Sequence, residues 1–130
     1  MITANQLVAH LVGDYLLQSD WMANEKTKRS TAAAVHALSY GLPFLFLGPS
    51  ALAMLVIVGT HFAIDRWRLA RFVVFAKNFF GPRASWPTWA DSSATGYSAS
   101  RPPWLAVWLL IIADNVLHVL INALALRFLA

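Results

Sequence analysis

No cysteine occurs in the chain, which excludes a disulfide framework, a thiolate metal site and a cysteine nucleophile. Charge is nearly as scarce: Asp, Glu, Lys and Arg make up 12% of the residues, where a soluble domain carries roughly 25%. The ten basic and six acidic side chains leave a formal net charge of +4. Such a balance can signal nucleic acid, but the basic residues stand beside apolar segments. That placement fits a membrane surface, and no nucleic-acid partner is expected. What fills the chain is hydrocarbon, with 58% hydrophobic residues and a mean hydropathy of +0.56. With 130 residues, the expectation is a single transmembrane domain over 1–130. The N-terminus, Met-Ile-Thr-Ala-Asn-Gln, lacks a basic region, and no small-residue cleavage site follows an apolar core. The first segment is therefore expected to stay in the mature protein.

The predicted fold is all-α, an integral membrane four-helix bundle with an interfacial amphipathic extension after the third helix. The helices are expected at about 2–20, 32–48, 51–75 and 103–129, with loops at 21–31 and 76–102. In the first, Gln6, His10, Asp14 and Gln18 recur every fourth residue and form one polar stripe. Gly41 and Pro43 are expected to bend the second, and Gly48-Pro49-Ser50 to turn the chain into the third. The fourth follows Pro102-Pro103. From Arg66 to Phe80 basic and bulky apolar residues alternate, which suits a helix lying in the interface, with Trp86 and Trp89 holding the following loop to the membrane.

Lys26, Lys28 and Arg29 lie between the first two helices, and Arg66, Arg68, Arg71, Lys77, Arg83 and Arg101 at or between the third and fourth. The turn between the second and third carries no basic residue. The positive-inside rule then makes both basic loops cytoplasmic and turns both termini outward, in a bacterial inner membrane. The six tryptophans fall at or near the same face, as half of an aromatic belt.

Against this apolar background all four histidines stand in hydrophobic stretches. Three have an aspartate four residues away: His10/Asp14, His61/Asp65 and Asp114/His118; His36 has Tyr40 at the same spacing. A gap of four puts two side chains on one helix face, one turn apart. Ionisable groups within membrane helices are costly and face the bundle interior. The expected metal ligands are His10, Asp14, His36, His61, Asp65, Asp114 and His118, a set suited to two divalent ions with a bridging carboxylate. Imidazole with carboxylate favours zinc, with manganese or iron as alternatives. Gln18, Tyr40, Asn115 and Asn122 are candidates to orient these ligands. Competing readings are helix–helix hydrogen bonding, proton or cation conduction along the Asp/His chain, and haem between histidines. Arg66 and Arg68 are candidates for holding a phosphate, or ordinary anchors at a helix end.

The runs Ala9-His10-Leu11-Val12-Gly13-Asp14-Tyr15-Leu16-Leu17-Gln18, Val35-His36 through Tyr40, Thr60-His61-Phe62-Ala63-Ile64-Asp65 and Asp114-Asn115-Val116-Leu117-His118 resemble the signature of a family of small uncharacterised membrane proteins of bacteria and phages. In that family the first run reads His-Leu-x-Gly-Asp-Phe-x-Leu-Gln and the last Asp-Gln-x-x-His. Here Tyr15 stands at the aromatic position and Asn115 at the glutamine. The resemblance covers all four helices and, more distantly, extends to membrane proteins described as metal-dependent hydrolases.

The expected function is metal-assisted hydrolysis of a lipid or phosphoester-type substrate from the cytoplasmic leaflet, with a metal-bound hydroxide as nucleophile. The rivals are a non-enzymatic membrane factor with a structural metal site and a proton or metal-ion transporter. The lipid bilayer is the expected partner, and a homo-oligomer or a membrane-protein partner is left open.

Overall fold

Hydroxyl side chains start several of the helices. The structure is a computed structural model that describes residues 2–130. Its helices are α1 (Ala4–Leu11), α2 (Asp20–Glu25), α3 (Ser30–Gly41), α4 (Ala51–Trp67), α5 (Ala70–Lys77), α6 (Trp89–Ser92) and α7 (Pro103–Phe128); no strand occurs among the described residues. Thr3, Ser19, Ser50 and Thr88 each accept a hydrogen bond from a backbone N–H of the turn that follows. Each fills one donor that a helix start leaves open. Two helices change pitch rather than stop. α1 runs on as a π-helical turn over Val12–Leu16, and α3 as a tighter 3-10 stretch over Leu42–Leu47, where Pro43 sits at the start.

The chain divides into two compact units. One reaches as far as Arg68 and includes Leu117–Ala130; the other is Leu69–Val116. The first has its polar residues inside and much of its hydrocarbon outside. Gln6, His10, Asp14, His36, His61, Asp65, His118 and Asn122 are buried, alongside Tyr40, Phe44 and Ile57. Leu7, Val8, Leu11, Leu38, Leu45 and Leu55 are exposed, as are Leu16 (77%) and Phe46 (92%). Buried polar groups and exposed large apolar residues are the informative exceptions to ordinary burial, and here both occur together. Small residues bring the backbones close: Ala32, Ala33, Ala37 and Ala53 are fully enclosed.

In the second unit Val74, Tyr97 and Ala106 pack with Leu109, Leu110 and Ala113. Gly96, at φ +82°, lies so close to α5 that a Cβ there would stand 2.3 Å from the Arg71 carbonyl oxygen. Arg71 donates to the Ser93 carbonyl and Asn78 to that of Gly96, while the Phe72 and Trp89 rings stack at 4.9 Å.

Two helices are long and apolar enough to cross a bilayer, Ser30–Leu47 and Pro103–Phe128, where the sequence leads one to expect four. The other two expected spans are interrupted. The chain leaves α1 and its π turn by Leu17, and Ser19 starts a separate helix in the segment expected as loop 21–31. The third span ends at Trp67, because Arg68 adopts a left-handed conformation (φ 53°) and closes α4 with its N–H on the Asp65 and Ile64 carbonyls. The expected 51–75 helix is thus α4 followed by a separate α5.

Candidate metal centre

Asp14, His36, His61 and Asp65 meet in the interior of the first unit, all buried. The π-helical turn carries Asp14, α3 carries His36, and α4 carries His61 and Asp65 one turn apart. A π turn re-aims side chains relative to a regular helix and recurs at functional positions. Gly13, beside Asp14, makes that turn fit: a Cβ there would lie 2.6 Å from the Tyr40 carbonyl oxygen. Only glycine lets the first helix approach α3 so closely.

The donor atoms lie close together. His36 Nε2 is 3.2 Å from Asp14 Oδ1, 3.2 Å from Asp65 Oδ2 and 3.0 Å from His61 Nε2. His61 Nε2 is 3.3 Å from Asp65 Oδ2 and 3.8 Å from Asp14 Oδ1. Ligands held at ~2.0–2.2 Å around a tetrahedral ion are separated from one another by roughly 3.3–3.6 Å. The measured separations bracket that value. Carboxylate oxygens only accept hydrogen bonds, and two imidazole nitrogens 3.0 Å apart share at most one proton between them. The cluster is rich in acceptors and short of positive charge, as a cation site is. Buried His/Asp groups of this kind can hold a metal ion.

One cation already faces them. Lys26, at the C-terminal end of α2, places its Nζ 2.8 Å from Asp65 Oδ2, 3.2 Å from His36 Nε2 and 4.0 Å from Asp14 Oδ1. The ammonium covers the Asp14–His36–Asp65 side of the donor set. Arg66 fixes the segment that delivers it, donating to the Thr27 carbonyl at 2.8 Å and to Ser30 Oγ at 3.1 Å. Lys26 has no counterpart among the residues expected from the sequence. It stands in a basic run with Lys28 and Arg29, and nothing local separates it from its neighbours.

The two histidine rings are held by packing. Metal-bound histidine usually donates its second ring nitrogen to an oriented acceptor. Nδ1 of His36 and of His61 has no hydrogen-bond partner. Instead Tyr40 stacks on His61 with centroids 3.6 Å apart and planes within 11°, and the His36 ring lies 4.8 Å from His61.

The other expected residues spread along the same interior. His10 Nδ1 pairs with Tyr40 Oη at 2.9 Å, and Asn122 Nδ2 donates to that hydroxyl at 2.5 Å. Tyr40 therefore orients His10 through its hydroxyl, with Asn122 behind it. Gln6 donates to the Val119 carbonyl at 2.8 Å. His118 lies beside His61, with ring centroids 4.3 Å apart, and its Nε2 is 4.0 Å from Asp65 Oδ1. Asp114 and Asn115 belong to the second unit, where Asn115 donates to the Ile111 carbonyl of its own helix. Gln18 keeps a buried Oε1 without a hydrogen-bond partner.

No curated protein and no solved structure matches the chain. A family model does match, over residues 2–126, nearly the whole sequence, and the chain belongs to the family described as "Protein of unknown function (DUF3307)".

Proposed function

We propose that the protein is a four-helix bacterial inner-membrane protein that binds a divalent transition metal in its polar interior and uses it for hydrolysis. The observation that carries the metal is the meeting of Asp14, His36, His61 and Asp65, whose ligand atoms all lie within 4.8 Å of one another in a buried setting. Zinc suits a two-histidine, two-carboxylate set best, with manganese or iron next. His118 and His10, farther along the interior of the same unit, are the candidates to hold a second ion. The membrane setting is supported by apolar side chains outside and polar ones inside the first unit. α1 and α4 fall short of the ~20 residues that span a bilayer comfortably, so they cross by tilting or local thinning. The basic loops face the cytoplasm and both termini face outward.

Asp14, His36, His61 and Asp65 would hold the ion, which would supply Lewis acidity toward a bound water and a phosphoryl or acyl oxygen. The substrate class is a lipid or other phosphoester reaching the site from the cytoplasmic leaflet. An apolar groove of about 510 Å³ runs beside α1, lined by Val8, Val12, Leu42 and Phe46 among others, and in this topology most of it lies toward the outward end. The test is turnover of a phosphodiester, bis-para-nitrophenyl phosphate or a phospholipid, by protein stripped of metal and then reloaded. Hydrolysis that returns with metal and is absent in His61→Ala supports the reading. Reloaded protein that melts higher but hydrolyses neither compound holds a structural metal instead.

A second reading has its own observation. The buried line Gln6, His10, Tyr40 and Asn122 continues the polar interior away from Lys26. That is what a proton or metal-ion path requires. Metal-dependent proton or ion flux into liposomes, lost in Tyr40→Phe, would replace hydrolysis by transport.

A further inference from the structure

We infer that Lys26 is the anion-binding residue of the metal centre, and that the loaded site takes a monoanionic phosphate group against it. The inference rests on the metal reading above and adds to it the charge of the ligand. Within the first unit, the Lys26 ammonium meets Asp65 at 2.8 Å and Asp14 at 4.0 Å, and the neighbouring donors are imidazoles, which bind a metal only in their neutral form. Two carboxylates against one ammonium leave one negative charge. A divalent ion adds two positive charges and turns the balance to one positive charge.

An isolated charge is expensive in a buried setting, so the loaded site requires one further negative charge. With a divalent ion drawing on both carboxylates, the ammonium loses much of their field and becomes available to an anion on the same side. A phosphodiester carries the single charge required, and its free oxygens can bridge a metal and a lysine ammonium. Lys26 is suited to this by position. It reaches the donor set from the end of a short, largely exposed helix, and its side chain keeps 18% of its surface open to solvent. The other nearby cation, Arg66, is committed to Thr27 and Ser30 and tethers the Lys26 segment instead. A phosphodiester can come from a lipid headgroup or from a soluble ester, and the chemistry at Lys26 is common to both.

The experiment measures zinc affinity by competition with a fluorescent chelator, in phosphate-free detergent, for wild type, Lys26→Met and Lys26→Arg. Each is titrated alone, with dimethyl phosphate, and with phosphatidylglycerol. In the wild type an anion tightens zinc binding by a factor on the order of ten, within the usual range for coupled sites. Lys26→Arg retains the coupling. Lys26→Met binds zinc without anion at least as tightly as the wild type, because a cation facing the metal is gone, and shows no coupling. Coupling by dimethyl phosphate assigns a soluble ester, and coupling by phosphatidylglycerol alone assigns a lipid headgroup; either supports the inference. Equal coupling in Lys26→Met, or zinc binding by the wild type with no response to either anion, overturns it and leaves the metal site standing. Wild-type protein that binds no zinc removes the metal reading and this inference with it.

Discussion

Asp65 is the carboxylate of the centre that lies closest to the Lys26 ammonium. It faces His36 at 3.2 Å, His61 at 3.3 Å and the Lys26 ammonium at 2.8 Å. Replacing it by asparagine keeps the volume but removes a metal ligand and the closest counter-charge of Lys26. Breaking a buried ion pair costs about 3–5 kcal/mol, and partial exposure of Lys26 places this one at the lower end. Asp65→Asn is expected to lose metal and stability together, read by metal analysis and thermal melting in the same detergent. Tyr40→Phe separates the two effects. It removes the hydroxyl shared by Asn122 and His10 but keeps the ring that stacks on His61. It should cost ~1–3 kcal/mol of stability and leave the metal held by Asp14, His36, His61 and Asp65 in place. A Tyr40→Phe protein that also loses its metal would place the hydroxyl among the determinants of the site. These roles were only partly legible in the sequence. The spacing of four marks His61 and Asp65 as neighbours, and they are. The same spacing pairs His10 with Asp14, yet Asp14 turns to His36 and His10 to Tyr40. Spacing fixes the face a residue occupies, not the atom it meets across the bundle. Lys26 was illegible because only the path of the chain through α2 brings it to the aspartates.

At the scale of elements, the site depends on the first helix lying against α3. Gly13→Ala would set a Cβ against the Tyr40 carbonyl at 2.6 Å and against its ring at 2.9 Å, and backbone cannot rotate away. The expected loss is ~1–3 kcal/mol, typical of overpacking, accompanied by weaker metal binding as Asp14 is pushed off its position. Gly59→Ala is the control. A Cβ there meets nothing within 4 Å, and the residue lies inside α4. Alanine should raise stability by about 0.5–1 kcal/mol through helix propensity alone. Equal melting shifts for the two variants would refute the close approach. The longer helices α3, α4 and α7 were foreseeable from periodicity and proline, whereas α2 and α6 fall in segments expected as loops. The helix breaks were not foreseeable. The first span stops where Ser19 caps a new helix, and the third stops at a left-handed arginine, a position where glycine is the usual signal.

For the molecule as a whole, the proposed topology and the proposed metal are separately testable. Cysteine introduced at Lys28 or Ser85, both exposed, should be shielded from an impermeant thiol reagent applied to intact cells, while one at Ala51 should label. The reverse pattern would turn the protein over and move its site to the outer leaflet. Two helices long and apolar enough to cross a bilayer were legible from composition. The metal question turns on a property that composition cannot supply, the convergence of donors from segments far apart in the chain. It is decided most directly by elemental mass spectrometry of the protein purified in mild detergent. The account predicts about one to two equivalents of a first-row transition metal in the wild type, a marked loss in His36→Ala and Asp65→Ala, and a lower melting temperature after chelation. Wild-type protein without metal, whose melting temperature is indifferent to both chelator and added zinc, would contradict it.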